Sequence, residues 1–383
     1  MNERELFNAI MHYEPFERVP VWYNGEWPET TLEWAEQGLP PDMNRPKYFG
    51  TVTFPWTVPT DLPVEFLGSR EVGRKNEVGL RWPTMLLPAF PEEVFEETDE
   101  YRVFRQFDGV VVKQWKHQSS IPHSIDYTFK SGKDWPDYKR RLQPDPRRLP
   151  KDLDKILEQM HDYDEPVRMR VGSLMGVVRN WMGVEQYCVL QMEDQELLSE
   201  IVDTIVNLAC WEMDHVLPKL KIDLGWAWED ISSRSGPFIS PRVFKKCVVP
   251  GYQKITAKLR QYGVDLFGVD CDGILDPLVP GFLEGGVNIL FPIEVGTWKA
   301  DVIQLRRKFG RELRLTGGVN KLELLKGRQA IDAELARRLP LVQEGGYIPT
   351  PDHEIVPGTR LEDYKYYLER IRAFRAKGPV SPS

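Results

Sequence analysis

The chain has 383 residues, 41% of them hydrophobic and 28% charged, which is enough to bury one large α/β domain or two smaller ones and excludes a disordered chain. Its 50 basic and 58 acidic residues leave a net charge of −8, and the lack of any dense Lys/Arg tract argues against nucleic acid or an anionic membrane as the main partner. Cys188, Cys210, Cys247 and Cys271 are widely spaced with no CxxC pair, which speaks against a disulfide framework and a cysteine zinc knuckle.

The N-terminal MNERELFNAIMHYEP lacks the basic and apolar regions of a signal peptide, and no apolar run reaches membrane-spanning length, so a cytoplasmic chain is expected. RVPVWY (18–23) reads as the first strand, and the proline-rich stretches 37–64 and 144–150 read as loops. In 101–116, YRVFRQFDGVVVKQWK, two alternating runs meet at Asp108-Gly109, the pattern of a β-hairpin inside an insertion over about 90–135. PVRMRVGS (166–173) is a second strand, and 194–217 has the period of a long amphipathic helix.

Beyond it, IDLGWAWE (222–229), VDLFGVD (264–270), VNILF (287–291), LRLTGG (313–318) and GGYIPT (345–350) are short apolar runs separated by helix-period segments. Ser240-Pro241 marks a helix running through Tyr262, and Asp276-Pro277 one running through Leu283, each a capping residue followed by proline. Residues 1–376 read as one domain, and the tail 377–383 as disordered.

A chain of βα units forms either an open doubly wound sheet or a (β/α)8 barrel. No GxGxxG or P-loop follows any strand, and polar residues cluster instead at strand C-termini, which favours the barrel. Seven strands are visible; the eighth is expected between residues 40 and 100. Asp270-Cys271-Asp272 ends one strand. Spacing of two turns both carboxylates to one side, and with Asp276 assigned to cap the next helix they are free for chemistry. Cys271 should face away and be buried. Glu229 and Asp230 end another strand behind Trp226 and Trp228, which read as barrel packing, and Glu294 ends a third. Of the six histidines only His353 follows a barrel strand.

The stretches GPFISPRVF, DCDGILDPLVPGFLEGGVNILFPIE, LTGGVN and GGYIPTPDHEIVPGTRLEDYKYYLERI, with RELFNAIMHYEPFERVPVWY at the N-terminus, resemble the uroporphyrinogen decarboxylase superfamily. The resemblance implies a (β/α)8 TIM barrel of the uroporphyrinogen decarboxylase-like type. It also implies one of two chemistries, cofactor-free porphyrinogen decarboxylation or methyl transfer involving a corrinoid protein. Decarboxylases of the family carry an arginine-bearing RQAGRYLPEY after the first strand, where this chain has YNGEWPETTLEW (23–34), and the family's catalytic tyrosine falls at Asn180. Without those arginines a polycarboxylate is not expected to bind.

The superfamily's corrinoid methyltransferases hold zinc with HxC and a later cysteine. Alignment on the shared Gly, Pro and Thr positions puts Asp270, Asp272 and His353 there, a harder donor set suited to an oxygen-bearing ligand. The expectation is thus a methyltransferase moving a methyl group between a small methylated substrate and a corrinoid supplied by a partner protein. A divalent metal, with zinc the first choice, would sit on Asp270, Asp272 and His353, and Glu229 would be ligand or general base. Trp22, Asn24, Asn180 and Glu294 are expected to bind substrate. The alternatives are a cofactor-free decarboxylase of a porphyrinogen-like tetrapyrrole and a non-catalytic tetrapyrrole- or corrinoid-binding protein.

Overall fold

Strands with apolar residues at consecutive positions need cover on both faces, which parallel strands joined by helices receive. In the computed structural model, which describes residues 1–53, 77–80, 85–116 and 121–375, the five apolar runs of the second half are such strands. Numbering only the barrel strands, they are β4 (Leu224–Trp228), β5 (Leu266–Asp270), β6 (Ile289–Ile293), β7 (Arg314–Val319) and β8 (Tyr347–Pro351), buried throughout except for Arg314. β1 is Trp22–Tyr23 and β3 is Arg168–Val171. The missing strand is β2, Glu77–Leu80, inside the interval where it was expected.

Strands β2 to β8 form one parallel sheet in which each strand pairs with the next in the chain. That order never reverses, so it is the winding of a (β/α)8 barrel and not of a doubly wound sheet. β1 pairs in parallel with Val52–Thr53, and just beyond it Glu26 forms a parallel bridge with Ile355, past the end of β8. Asn24 adds bonds from Nδ2 to Thr350 Oγ1 at 2.9 Å and to the Pro351 carbonyl at 2.7 Å. The first strand is thereby fastened against the last. A β1–β2 ladder is not present among the described residues. The fold class is the expected α/β one, and no helix among the described residues is long and apolar enough to cross a membrane.

The expected hairpin is the centre of a four-stranded antiparallel sheet, Glu93–Glu97, Tyr101–Arg105, Val110–Trp115 and His123–Tyr127, with Tyr101 opposite Trp115. It docks on helix Gly176–Glu193, which breaks at Gly183 (φ +77°) where a Cβ would lie 2.7 Å from the Tyr127 ring. The 37–64 stretch is not all loop: Asn44 caps a short helix, Arg45–Phe49. Its part from residue 54 on, and the tail from 377, lie outside the described residues.

Ser240 caps as expected, accepting from Val243 N at 3.2 Å, although its segment is two helices, Pro241–Cys247 and Val249–Gln261. Asp276 does not. Leu275–Leu278 closes a turn first, so the helix is Val279–Gly285 with Leu278 at its N-cap and no side-chain capping bond. Ser240→Ala is therefore expected to cost about 1 kcal/mol, and Asp276→Ala close to nothing. Side-by-side thermal melts check this, and an Asp276 variant that melted lower than the Ser240 variant would restore Asp276 as a cap.

Candidate functional site

Inward and outward positions on β5 are legible from its neighbours. Phe267 packs outward on Tyr252 of helix Val249–Gln261, with ring centroids 5.9 Å apart. A Cβ at Gly268 would meet the Trp226 ring at 2.3 Å, so Trp226 lies over Gly268 on the inner face. Asp270 continues that inner row, and Asp272 is the next step beyond the strand. Glu294 follows β6 directly, Lys321 follows β7, and His353 follows β8. The mouth therefore collects charges that are far apart in sequence.

Among the described residues, one set of potential ligand atoms converges. A carboxylate oxygen of Asp272, one of Glu294 and a ring nitrogen of His353 all lie within 4.8 Å of one another. His353 Nε2 is 3.9 Å from Asp272 Oδ2. Lys321, itself buried, brings Nζ to 3.3 Å from Glu294 Oε2. Behind them, Asp230, at φ +45°, accepts the Asp272 backbone N–H at 3.1 Å, and its own carbonyl accepts from Arg179 Nη1 at 2.6 Å.

Burial and the neighbouring Asp230 and Glu294 carboxylates push Asp272 up to about 8. Burial also raises Asp230. Burial and the Lys321 ammonium lower His353, so its imidazole is neutral near pH 7 and has a lone pair to offer. Two crowded carboxylates and a neutral imidazole form an O,O,N donor set that a small divalent cation would satisfy and relieve.

Asp270 does not join this set, although it was expected to. Spacing of two aligns its side chain with that of Asp272 but displaces it along the strand by roughly 6.6 Å. Glu294 takes the place, from the neighbouring strand.

Glu229 is not available as ligand or base either. It is fully buried, and its carboxylate accepts from Leu174 N at 2.9 Å, Met175 N at 2.8 Å, Gly176 N at 2.8 Å, Ser173 Oγ at 3.1 Å and the Tyr252 hydroxyl. From a neighbouring strand it satisfies the backbone N–H groups of the turn leading into helix Gly176–Glu193 and the first N–H of that helix. The approach is so close that a Cβ on Gly176 would lie 2.0 Å from the Glu229 carbonyl oxygen.

The expected substrate contacts divide as well. Trp22 packs in the core against Phe7 at 6.2 Å between centroids. Asn24 is spent on β8, as described above. Asn180 accepts from Arg179 Nη2 at 2.9 Å and so holds a guanidinium that lies 5.8 Å from the Trp228 ring. In the segment that replaces the family's arginine-bearing stretch after β1, Glu26 is paired with Arg45 at 2.9 Å. Cys271 is buried, as expected, and its sulfur accepts from Ile231 N.

The sequence reading missed Lys321 and Asp352. Asp352 is wholly buried and accepts from Gly296 N at 2.7 Å and Lys321 N at 2.9 Å, clamping the loops after β6 and β7 to the loop that carries His353. Burial outweighs these bonds and pushes Asp352 up to about 6. The signal was present: like Asp272, both are charged residues directly beyond a strand. Two cations of β3 were also missed. Arg168 and Arg170 are buried, with Arg168 5.4 Å from the Trp226 ring.

Residues 226–374 match the family model for uroporphyrinogen decarboxylase (URO-D). That span holds β5 to β8 and all three converging groups. A solved structure, a methyltransferase from Methanosarcina mazei, is similar over nearly the whole chain, at a TM-score of 0.56 and 16% identity, covering 97% of this chain and 98% of that one. No curated protein matches the sequence. The resemblance to the uroporphyrinogen decarboxylase superfamily thus holds over residues 226–374, and the likeness of fold over almost the full length.

Proposed function

We propose that this chain is a methyltransferase of the uroporphyrinogen decarboxylase-like kind, moving a methyl group between a small methylated substrate and a corrinoid protein. Asp272, Glu294 and His353 would hold a divalent cation, with zinc the first to test. The observation that carries the reading is the convergence of these three groups from the ends of three strands. The methyltransferase of similar fold supports the choice of chemistry. A bound ion would supply Lewis acidity toward a methoxy or hydroxyl oxygen of the substrate.

The chain's own residues do the rest. Lys321 neutralises Glu294 and fixes its orientation. Asp352 holds the loops bearing Glu294, Lys321 and His353 in register. Arg179, anchored by Asn180 and the Asp230 carbonyl, offers a cation beside Trp228 for an anionic or aromatic part of the substrate.

One observation favours a second reading. Arg168 and Arg170 put two buried guanidinium groups inside the barrel, which supply some of the cationic character that the loop after β1 lacks, and a carboxylate-bearing tetrapyrrole would use it. Zinc titration and a uroporphyrinogen assay on the purified protein decide between the two. Zinc should bind and displace a proton from Asp272, so its affinity should rise between about pH 6 and 8, approaching tenfold per pH unit for one displaced proton. Calorimetry in buffers of different ionisation enthalpy counts that proton. Absence of zinc binding together with decarboxylation of uroporphyrinogen would replace the methyltransferase reading by the second one.

A further inference from the structure

Asp270 is an acid of the mouth whose chemistry the cation reading leaves unused. Its side chain is 1% exposed, and neither carboxylate oxygen has a hydrogen-bond partner among the described residues. A carboxyl group has several hydrogen-bonding sites, and leaving all of them dry is among the costlier arrangements a fold can keep. Glu229, an equally buried acid one strand away, shows how the same barrel satisfies a carboxylate that it uses for structure, with five donors. Asp270 receives none of these. Burial, with the Asp230 and Asp272 carboxylates close by, pushes Asp270 well above the usual carboxylate range, against the smaller opposing pull of the Arg170 and Arg168 guanidinium groups.

We propose that Asp270 is a substrate-recognition residue that accepts a hydrogen bond from a neutral hydroxyl or N–H group on the substrate, close to the methylated atom. This rests on the cation reading of Asp272, Glu294 and His353, which sets where the methylated atom lies. Asp270 and Asp272 share the inner face two residues apart, roughly 6.6 Å along the strand. A ligand oxygen at the cation site and a donor about two or three bonds away span that interval, given a hydrogen bond of roughly 2.8 Å at the Asp270 end. The two nearby arginines already supply positive charge, so a neutral donor suits the position better than an ammonium group. A fixed water would fill the same acceptors without selecting any ligand, and the test must separate the two.

The probes are 2-methoxyphenol and 1,2-dimethoxybenzene, which differ by the single donor, and zinc alone. All are titrated calorimetrically into the full chain, wild type, Asp270→Leu and Asp270→Asn. The wild type should prefer the phenol by about tenfold, the effect of one buried hydrogen bond. Asp270→Leu should lose that preference and Asp270→Asn, which keeps one acceptor, should retain part of it. Neither variant should melt below the wild type, because no protein partner is lost, and zinc affinity should be unchanged in both.

A wild type without preference, including one that binds neither probe, would overturn the proposal in favour of a fixed water. Variants that melt well below the wild type while keeping the preference would overturn it in favour of a counter-ion for the arginines. Loss of zinc binding in Asp270→Leu would make Asp270 a ligand and overturn it too. If the wild type failed to bind zinc yet kept the Asp270-dependent preference, the cation reading would fall and the recognition role would stand.

Discussion

Glu229→Ala is expected to destabilise the protein by about 3–5 kcal/mol, or to leave no folded protein, because five buried donors lose their common acceptor at once. Three of the five are consecutive backbone N–H groups, at Leu174, Met175 and Gly176, which have no alternative partner if water cannot enter. Glu229→Gln keeps the shape but turns one acceptor into a donor aimed at other donors, so it should also melt well below the wild type. A general base would behave differently: Glu229→Gln would then melt like the wild type and lose activity. Denaturant unfolding of the two variants, read beside any methyl-transfer assay, distinguishes a structural carboxylate from a catalytic one.

Asp272→Ala and His353→Ala are each expected to weaken zinc binding by roughly 100-fold or more, since a three-group site that loses one donor no longer closes around the ion. Stability should move the other way for Asp272. Its carboxylate is pushed up to about 8 by burial and by the Asp230 and Glu294 charges, so removing it relieves repulsion, and the metal-free variant should melt at or above the wild type. Glu294→Ala has to be read differently, because it also strands the buried Lys321 ammonium 3.3 Å away. Equal zinc affinity in wild type, Asp272→Ala and His353→Ala would remove the cation site. Melting well below the wild type for Asp272→Ala would make its role structural.

The two acids that most resembled a pair in the sequence, Asp270 and Asp272, ended in different surroundings. The i,i+2 rule gives the face of a strand correctly, and both carboxylates do lie inward. It says nothing about depth, and the separation along one strand exceeds the spacing of roughly 4.8 Å between neighbouring strands. Glu294, one strand over, therefore comes nearer to Asp272 than Asp270 does. Glu229 shows a related limit. A glutamate at a strand end looks the same in sequence whether it faces a ligand or the start of a helix packed from 53–56 residues earlier in the chain.

What the sequence determined by itself is the alternation of strand and helix, the order of the strands and the strand ends at which charge collects. These are written in short-range patterns, because a strand buried on both faces must be apolar at consecutive positions, and its first polar residue marks where it emerges. The converging set was decided only by tertiary structure. Asp272, Glu294 and His353 meet because the barrel's winding carries three distant strand ends to one mouth, while Asp352 ties the loops together through two backbone N–H groups that any sequence would supply. Side-chain bonds to backbone leave no trace in residue type at the partner, so neither that clamp nor the five-donor cradle of Glu229 was visible before the chain was folded.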